Sequence, residues 1–144
     1  MDVVCSAGGR FNDVIADPEG RVYCGTLNPD HTDGILWRLD LDGSIHRVVE
    51  GIGISNGMGF TPDLSQMYYT DSKRGLIYRY RYDSRSGALT ERIVWKDLGD
   101  EQGEPDGLTV DAEGNVWSAR WDGSGVYVYA PDGSKLAFCP VSAG

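Results

Sequence analysis

Three oxygen-bearing side chains, Asn12, Asn56 and Asp106, stand at matching places in this chain and could together do chemistry. Each heads the same local pattern: a polar residue, an apolar alternation, an Asp/Pro or Asp/Gly turn, and a return to aromatic and apolar residues. The copies run from Asn12 to Tyr23, from Asn56 to Tyr69 and from Pro105 to Trp117. The heads lie 44 and 50 residues apart, and internal periods of that size signal a repeat architecture. Hard oxygen donors of this kind suit Ca²⁺, Mg²⁺ or Mn²⁺, and Zn²⁺ also accepts them. Asn and Asp ahead of Gly also cap turns for structural reasons alone. Spacing therefore leaves a cation site and a set of turns as alternatives.

Other chemistries lack their residues. There is no G-x-S-x-G nucleophile elbow, no P-loop, no G-x-G-x-x-G and no H-E-x-x-H. Cys24 has no His near it in sequence, and His31 and His46 stand apart without a partner at ligand or triad spacing, so neither receives a role. Cys5, Cys24 and Cys139 are an odd set without C-x-x-C spacing, which reads as reduced thiols buried as small apolar fillers. A net charge of −9 argues against nucleic acid, which requires a basic footprint. No apolar run approaches the ~18 residues that span a bilayer, and Met1–Val4 carries no basic region leading into an apolar one, so the expectation is a cytoplasmic protein that does not enter a membrane.

The elements that must position the heads are strands. Runs such as Ile35–Leu41, Gly75–Tyr82 and Gly125–Tyr129 alternate with period two and are bounded by Asp/Gly/Ser/Pro turns, and no stretch has helical periodicity over a useful length. In the first repeat, Ile35, Trp37, Leu39 and Leu41 define an apolar face opposite Leu36, Arg38 and Asp40. Four strands recur in each repeat, which predicts an all-β chain of three four-stranded antiparallel β-propeller blades. Residues 1–144 read as one partial domain, with repeats over about 10–52, 53–103 and 104–140. Trp37, Tyr80, Tyr127 and Tyr129, at corresponding strand positions, are expected to pack blade on blade, while Arg79 and Arg81 face solvent. Equivalent positions of successive blades point to one end of a central channel, so Asn56 and Asp106 should converge there with Asn12 beside them.

Several motifs also carry a family resemblance. Arg10-Phe11-Asn12-Asp13 is followed by Asp17-Pro18-Glu19-Gly20-Arg21 and Gly25-Thr26. Then come Ile54-Ser55-Asn56-Gly57-Met58 with Tyr68-Tyr69-Thr70-Asp71-Ser72, and Pro105-Asp106-Gly107-Leu108 with Asp111-Ala112-Glu113-Gly114-Asn115-Val116-Trp117. In this order they resemble the senescence marker protein, gluconolactonase and luciferin-regenerating-enzyme family. The resemblance implies a six-bladed propeller that hydrolyses sugar lactones or related esters with one divalent cation in its channel, Ca²⁺ first, with Zn²⁺, Mg²⁺ or Mn²⁺ as alternatives. It implies Asn56 and Asp106 as metal ligands, with Asp106 also orienting or deprotonating the attacking water, and Arg10, Asn12 and Asp30 as substrate-binding residues. Leu27 replaces the family's Met after Gly-Thr, and Val14 replaces the Gly after Asp13; neither is a ligand position.

The same resemblance marks what is absent. The family's third ligand is a Glu upstream of Arg10, and none of the nine residues there is Glu. A cation held by one carboxylate and one amide binds weakly. The chain amounts to about half of a family member, and three blades leave faces bare on both sides of the gap. A homodimer with two-fold symmetry would close the ring. It would set Asn56 and Asp106 of both chains around one axis. The alternative is a non-catalytic binding module built from a truncated or degenerate propeller.

Overall fold

Period-two alternation between Asp/Gly turns resolves into twelve strands in the computed structural model, which describes residues 9–99 and 101–141. The first sheet holds β1 (Arg10–Ala16), β2 (Val22–Leu27), β3 (Gly34–Leu39) and β4 (Ile45–Ile52). The second holds β5 (Ser55–Phe60), β6 (Gln66–Asp71), β7 (Leu76–Asp83) and β8 (Ala88–Asp97), and the third β9 (Glu104–Val110), β10 (Val116–Trp121), β11 (Gly125–Tyr129) and β12 (Lys135–Pro140). Each sheet is an antiparallel meander in chain order, so each is a blade. Among the described residues the helical content is one 3-10 turn, Ser72–Arg74.

Local chemistry sets the turns. In Asp42-Gly43-Ser44 and Asp132-Gly133-Ser134 the glycine takes φ of 84° and 85°, while the aspartate accepts the serine amide at 2.9 Å in both. The glycine reaches a left-handed conformation without a Cβ clash, and the carboxylate closes the loop as an Asx turn.

The core lies between blades. Tyr23, Leu36, Val49 and Ile52 of the first blade meet Met58, Met67, Tyr69, Tyr80 and Tyr82 of the second. Tyr68, Ile77 and Leu98 meet Val116 and Tyr129 of the third. Two of the buried phenols are tied across the interface or within the second blade: the Tyr23 hydroxyl donates to the Gly87 carbonyl at 2.7 Å and that of Tyr69 to Ser55 Oγ at 2.5 Å. A polar staple crosses the first interface. Arg21 Nε pairs with the buried Asp17 carboxylate at 2.6 Å, Arg21 Nη2 donates to Tyr82 at 3.1 Å and to the Ser84 carbonyl at 2.5 Å, and the Tyr82 hydroxyl donates to Asp17 at 2.8 Å.

The inner strands β1, β5 and β9 lie side by side. At Gly57 the approach is backbone to backbone: a Cβ there would stand 2.1 Å from the Leu108 nitrogen and 2.7 Å from the Asp106 oxygen.

Some expectations change. Leu36 is fully buried and packs in the core, whereas Ile35 and Trp37 are half-buried on the opposite face. Leu41 is 79% exposed because β3 ends at Leu39. A blade packs on both faces, so alternation alone does not say which face is inner. Tyr80 and Tyr129 are buried between blades, while Tyr127 and Trp37 are only half-buried. Two of the cysteines are not buried fillers: Cys139 is exposed on β12, the outermost strand of the third sheet, and Cys24 is half-buried; Cys5 lies outside the described residues.

Gly57→Ala should cost at least about 3 kcal/mol in urea unfolding, because neither strand can yield backbone to a methyl. Gly43→Ala, with nothing within 4 Å, should cost only its left-handed strain, about 1 kcal/mol. Burial, then donation to the Asp17 carboxylate, pushes the Tyr82 phenol up to about 12. A group whose pKa is raised on folding contributes stability below its unfolded value and loses it above, so unfolding free energy should fall between about pH 10 and 12. Burial raises Tyr23, Tyr69, Tyr80 and Tyr129 as well, so Tyr82→Phe should lessen that slope in urea melts across the range without abolishing it.

Candidate functional site

The heads are aimed by bulges. The pairing of β1 with β2 breaks register between Phe11 and Val14, and that of β5 with β6 between Ser55 and Met58. The pairing of β9 with β10 breaks between Ser118 and Arg120, opposite Leu108 and Pro105. In every inner strand the break falls on the head: Asn12-Asp13, Asn56-Gly57 and Asp106-Gly107. A bulge leaves residues out of the ladder and turns a side chain away from the sheet normal. The outcome is a cleft of about 420 Å³ lined by Arg10, Asn12, Asn56 and Asp106, together with Leu27, His31, Ile54, Ser72, Glu104, Pro105 and Trp121.

Hydrogen bonds orient the donors. Asn12 Nδ2 donates to the Ser55 carbonyl at 2.9 Å, which leaves Asn12 Oδ1 to accept Arg10 Nη2 at 3.3 Å. Asn56 Nδ2 donates to Ser72 Oγ at 3.1 Å, so its amide oxygen is left without a partner among the described residues. Asp106, half-buried, makes no hydrogen bond or ion pair with any described residue. A half-buried carboxylate without a partner in a cleft is placed to take a cation.

Asp71 holds the scaffold beneath. Fully buried, it accepts the amides of Gly53 at 3.1 Å, Ile54 at 3.4 Å and Arg74 at 3.3 Å, and pairs with the Arg74 guanidinium. That ties the start of β5, which carries Asn56, to the 3-10 turn that carries Ser72. Arg74 also donates to the Gly51 carbonyl at 2.8 Å.

Of the five site residues expected from sequence, Arg10, Asn12, Asn56 and Asp106 share the cleft. Asp30 is exposed on the loop between β2 and β3, and the next residue, His31, lines the cleft instead. Ser72, Glu104 and Trp121 escaped the sequence reading, and His31, which lines the cleft, was given no role there. Ser72 sits in the quoted Tyr-Tyr-Thr-Asp-Ser motif and could have been found there; the other three carry no local signal. Among the described residues no three His, Cys, Asp or Glu side chains cluster to hold a metal ion. The cleft lining offers the Asp106 carboxylate, the Asn56 side-chain amide and Glu104 as oxygen donors. This all-oxygen set fits a hard divalent cation.

Comparison with known proteins now bears on this cleft. The profile of the SMP-30/Gluconolactonase/LRE-like region matches residues 3–142. The chain is 50% identical over 127 residues to a protein of Haloferax volcanii named pentonolactonase XacC, covering 88% of this chain and 44% of that one. A solved luciferin-regenerating enzyme superposes with a TM-score of 0.87 at 29% identity, covering 92% of this chain and 46% of its own. A regucalcin of Agrobacterium tumefaciens, described as a calcium-binding protein, gives 0.85 at 31% identity, covering 91% and 45%. The chain thus spans about half the length of the relatives it matches.

Proposed function

The chain belongs to the SMP-30/gluconolactonase/LRE-like family, and on that premise we propose that it serves the divalent-cation-dependent hydrolysis of a sugar lactone or related ester. The observation that carries this reading is the convergence of Arg10, Asn12, Asn56 and an unpaired Asp106 in one cleft. The name of the Haloferax relative supports the lactone, and the description of the Agrobacterium relative supports calcium as the cation. Asn56 and Asp106 would hold the cation, which when bound polarises the lactone carbonyl and lowers the pKa of a nearby water.

The chain's own residues do the rest. Arg10, steadied by Asn12, donates to the oxygens of the lactone and fixes its carbonyl for attack. Asp106 takes the proton as the water oxygen bonds to the carbonyl carbon. When the tetrahedral species collapses, the ring carbon–oxygen bond breaks and the departing alkoxide recovers that proton. The product is the open-chain hydroxy acid. Asp30, exposed on the β2–β3 loop next to the cleft-lining His31, is the remaining member of the proposed substrate-binding set.

Ring completion belongs to the same reading. On the outward face of the first blade, Val14, Cys24, Trp37 and Arg47 lie in one row, with Val14 60% exposed. On that of the third, Trp117 and Val126 border an apolar depression beside Gly107. Faces like these normally pack on a neighbour. A second copy supplies both missing surfaces and doubles the oxygen donors around the axis. A homodimer is the assembly we propose.

Asp106→Ala should abolish Ca²⁺ binding in isothermal titration and lower kcat/KM for an aldonolactone by at least about 10²-fold. Arg10→Ala should leave Ca²⁺ affinity nearly intact and raise KM by roughly 10- to 100-fold, the value of a hydrogen bond to a charged group. Equal loss of Ca²⁺ binding in both variants would contradict this division of roles. Sedimentation equilibrium at micromolar concentration should give twice the chain mass; a folded monomer refutes the dimer.

A further inference from the structure

His31 is in a conformation that side chains other than glycine seldom adopt. Its φ is 56°, in the left-handed region, and its amide closes a turn on the Asn28 carbonyl at 2.9 Å. Asn28 Nδ2 donates to the Asp33 carbonyl at 3.0 Å and braces the loop from the other side. Histidine tolerates this region better than most residues, and Leu64, Glu91, Asp122 and Ser124 adopt it too, but the state still costs free energy and is held by the turn and the Asn28 brace. From this loop His31 lines the cleft together with Arg10 and Asn12. Its ring makes no hydrogen bond, ion pair or ring contact with any described residue. The other histidine is unlike it: His46 Nε2 lies 3.0 Å from Ser44 Oγ and 3.3 Å from Asp40, on the outer strand β4.

An unpaired neutral imidazole offers one donor and one acceptor nitrogen. That is the complement of a hydroxyl, which also donates and accepts. Arg10 only donates, so the cleft wall gains from His31 a partner able to tell a hydroxylated ring from a bare one. Resting on the lactonase reading above, we infer that His31 is a substrate-positioning residue that recognises a ring hydroxyl of a polyhydroxylated lactone and so sets specificity.

His31→Gly separates this role from a structural one, because glycine removes the imidazole and relieves the left-handed strain together. The variant should melt no lower than the wild type. Its KM for gluconolactone should rise about 3- to 10-fold with kcat nearly unchanged, as loss of one uncharged hydrogen bond predicts. Its kcat/KM for γ-butyrolactone, which lacks ring hydroxyls, should be unaltered, and His46→Gln should match the wild type on both. With two histidines in the chain, the imidazole Cε1–H signals can be read individually by NMR. Added gluconate, the ring-opened product, should move the His31 signal and leave that of His46 in place. An equal loss on both lactones overturns the inference. So does a rise in KM confined to Asp30→Asn with His31→Gly at the wild-type value. Hydrolysis of neither lactone by the wild type would instead sink the lactonase reading, and the gluconate titration then decides: an unmoved His31 signal refutes the inference, and a shift of that signal alone sustains it.

Discussion

At Gly57 the backbone of β5 touches that of β9 with no room for a side chain between them, and the arrangement of the inner strands follows from that contact. Blades built on wider spacing would hold their first strands apart and scatter the heads. Here the strands close to van der Waals distance at the level where each ladder breaks register. The bulges free the heads from the sheets, and the close approach brings them to one cleft. Neither device suffices alone.

Polar staples hold the blades at this spacing. Arg21 and Asp17 leave the β1–β2 turn and reach the β7–β8 turn of the next blade, where the Tyr82 hydroxyl and two carbonyls complete the guanidinium's partners. A charge pair taken out of water is costly unless every donor finds an acceptor, and this one is satisfied across an interface, so it specifies how two blades dock. Asp71 does the same within the second blade: three amides and a guanidinium converge on one buried carboxylate, fixing the turn whose Ser72 orients Asn56.

The cleft combines two kinds of support. Arg10, Asn12, Asn56 and Asp106 stand on the inner strands β1, β5 and β9, with Asn12 and Asn56 further held by side-chain hydrogen bonds. His31 stands on a loop, its backbone held by the turn and the Asn28 brace. The roles proposed for Asn56 and Asp106, holding a cation and activating water, call for the first kind of precision. A group that selects among substrates tolerates the second, since loops are where specificity changes without disturbing a core.

How much of this could be read from residues alone divides along a physical line. Period-two alternation, Asp/Gly turns and the 44- and 50-residue spacing of the heads are local properties, so the all-β architecture, the three blades and the oxygen donors Asn12, Asn56 and Asp106 were legible in sequence. Local pattern is silent on which face of a sheet meets a neighbour, because both faces of a blade can pack. Leu36 therefore proved inner and Trp37 outer, and Cys139 exposed on an outermost strand. It is equally silent on the course of a loop: His31 lines the cleft and Asp30 is exposed beside it, on a loop held by a turn and a side-chain brace rather than by residue type. Glu104 and Trp121 come to the cleft because β9 and β10 pair at their ends beside the 3-10 turn of another blade. Sequence determined which chemical groups the chain carries and the strands that carry them; only the packing of blade on blade decided which of those groups meet.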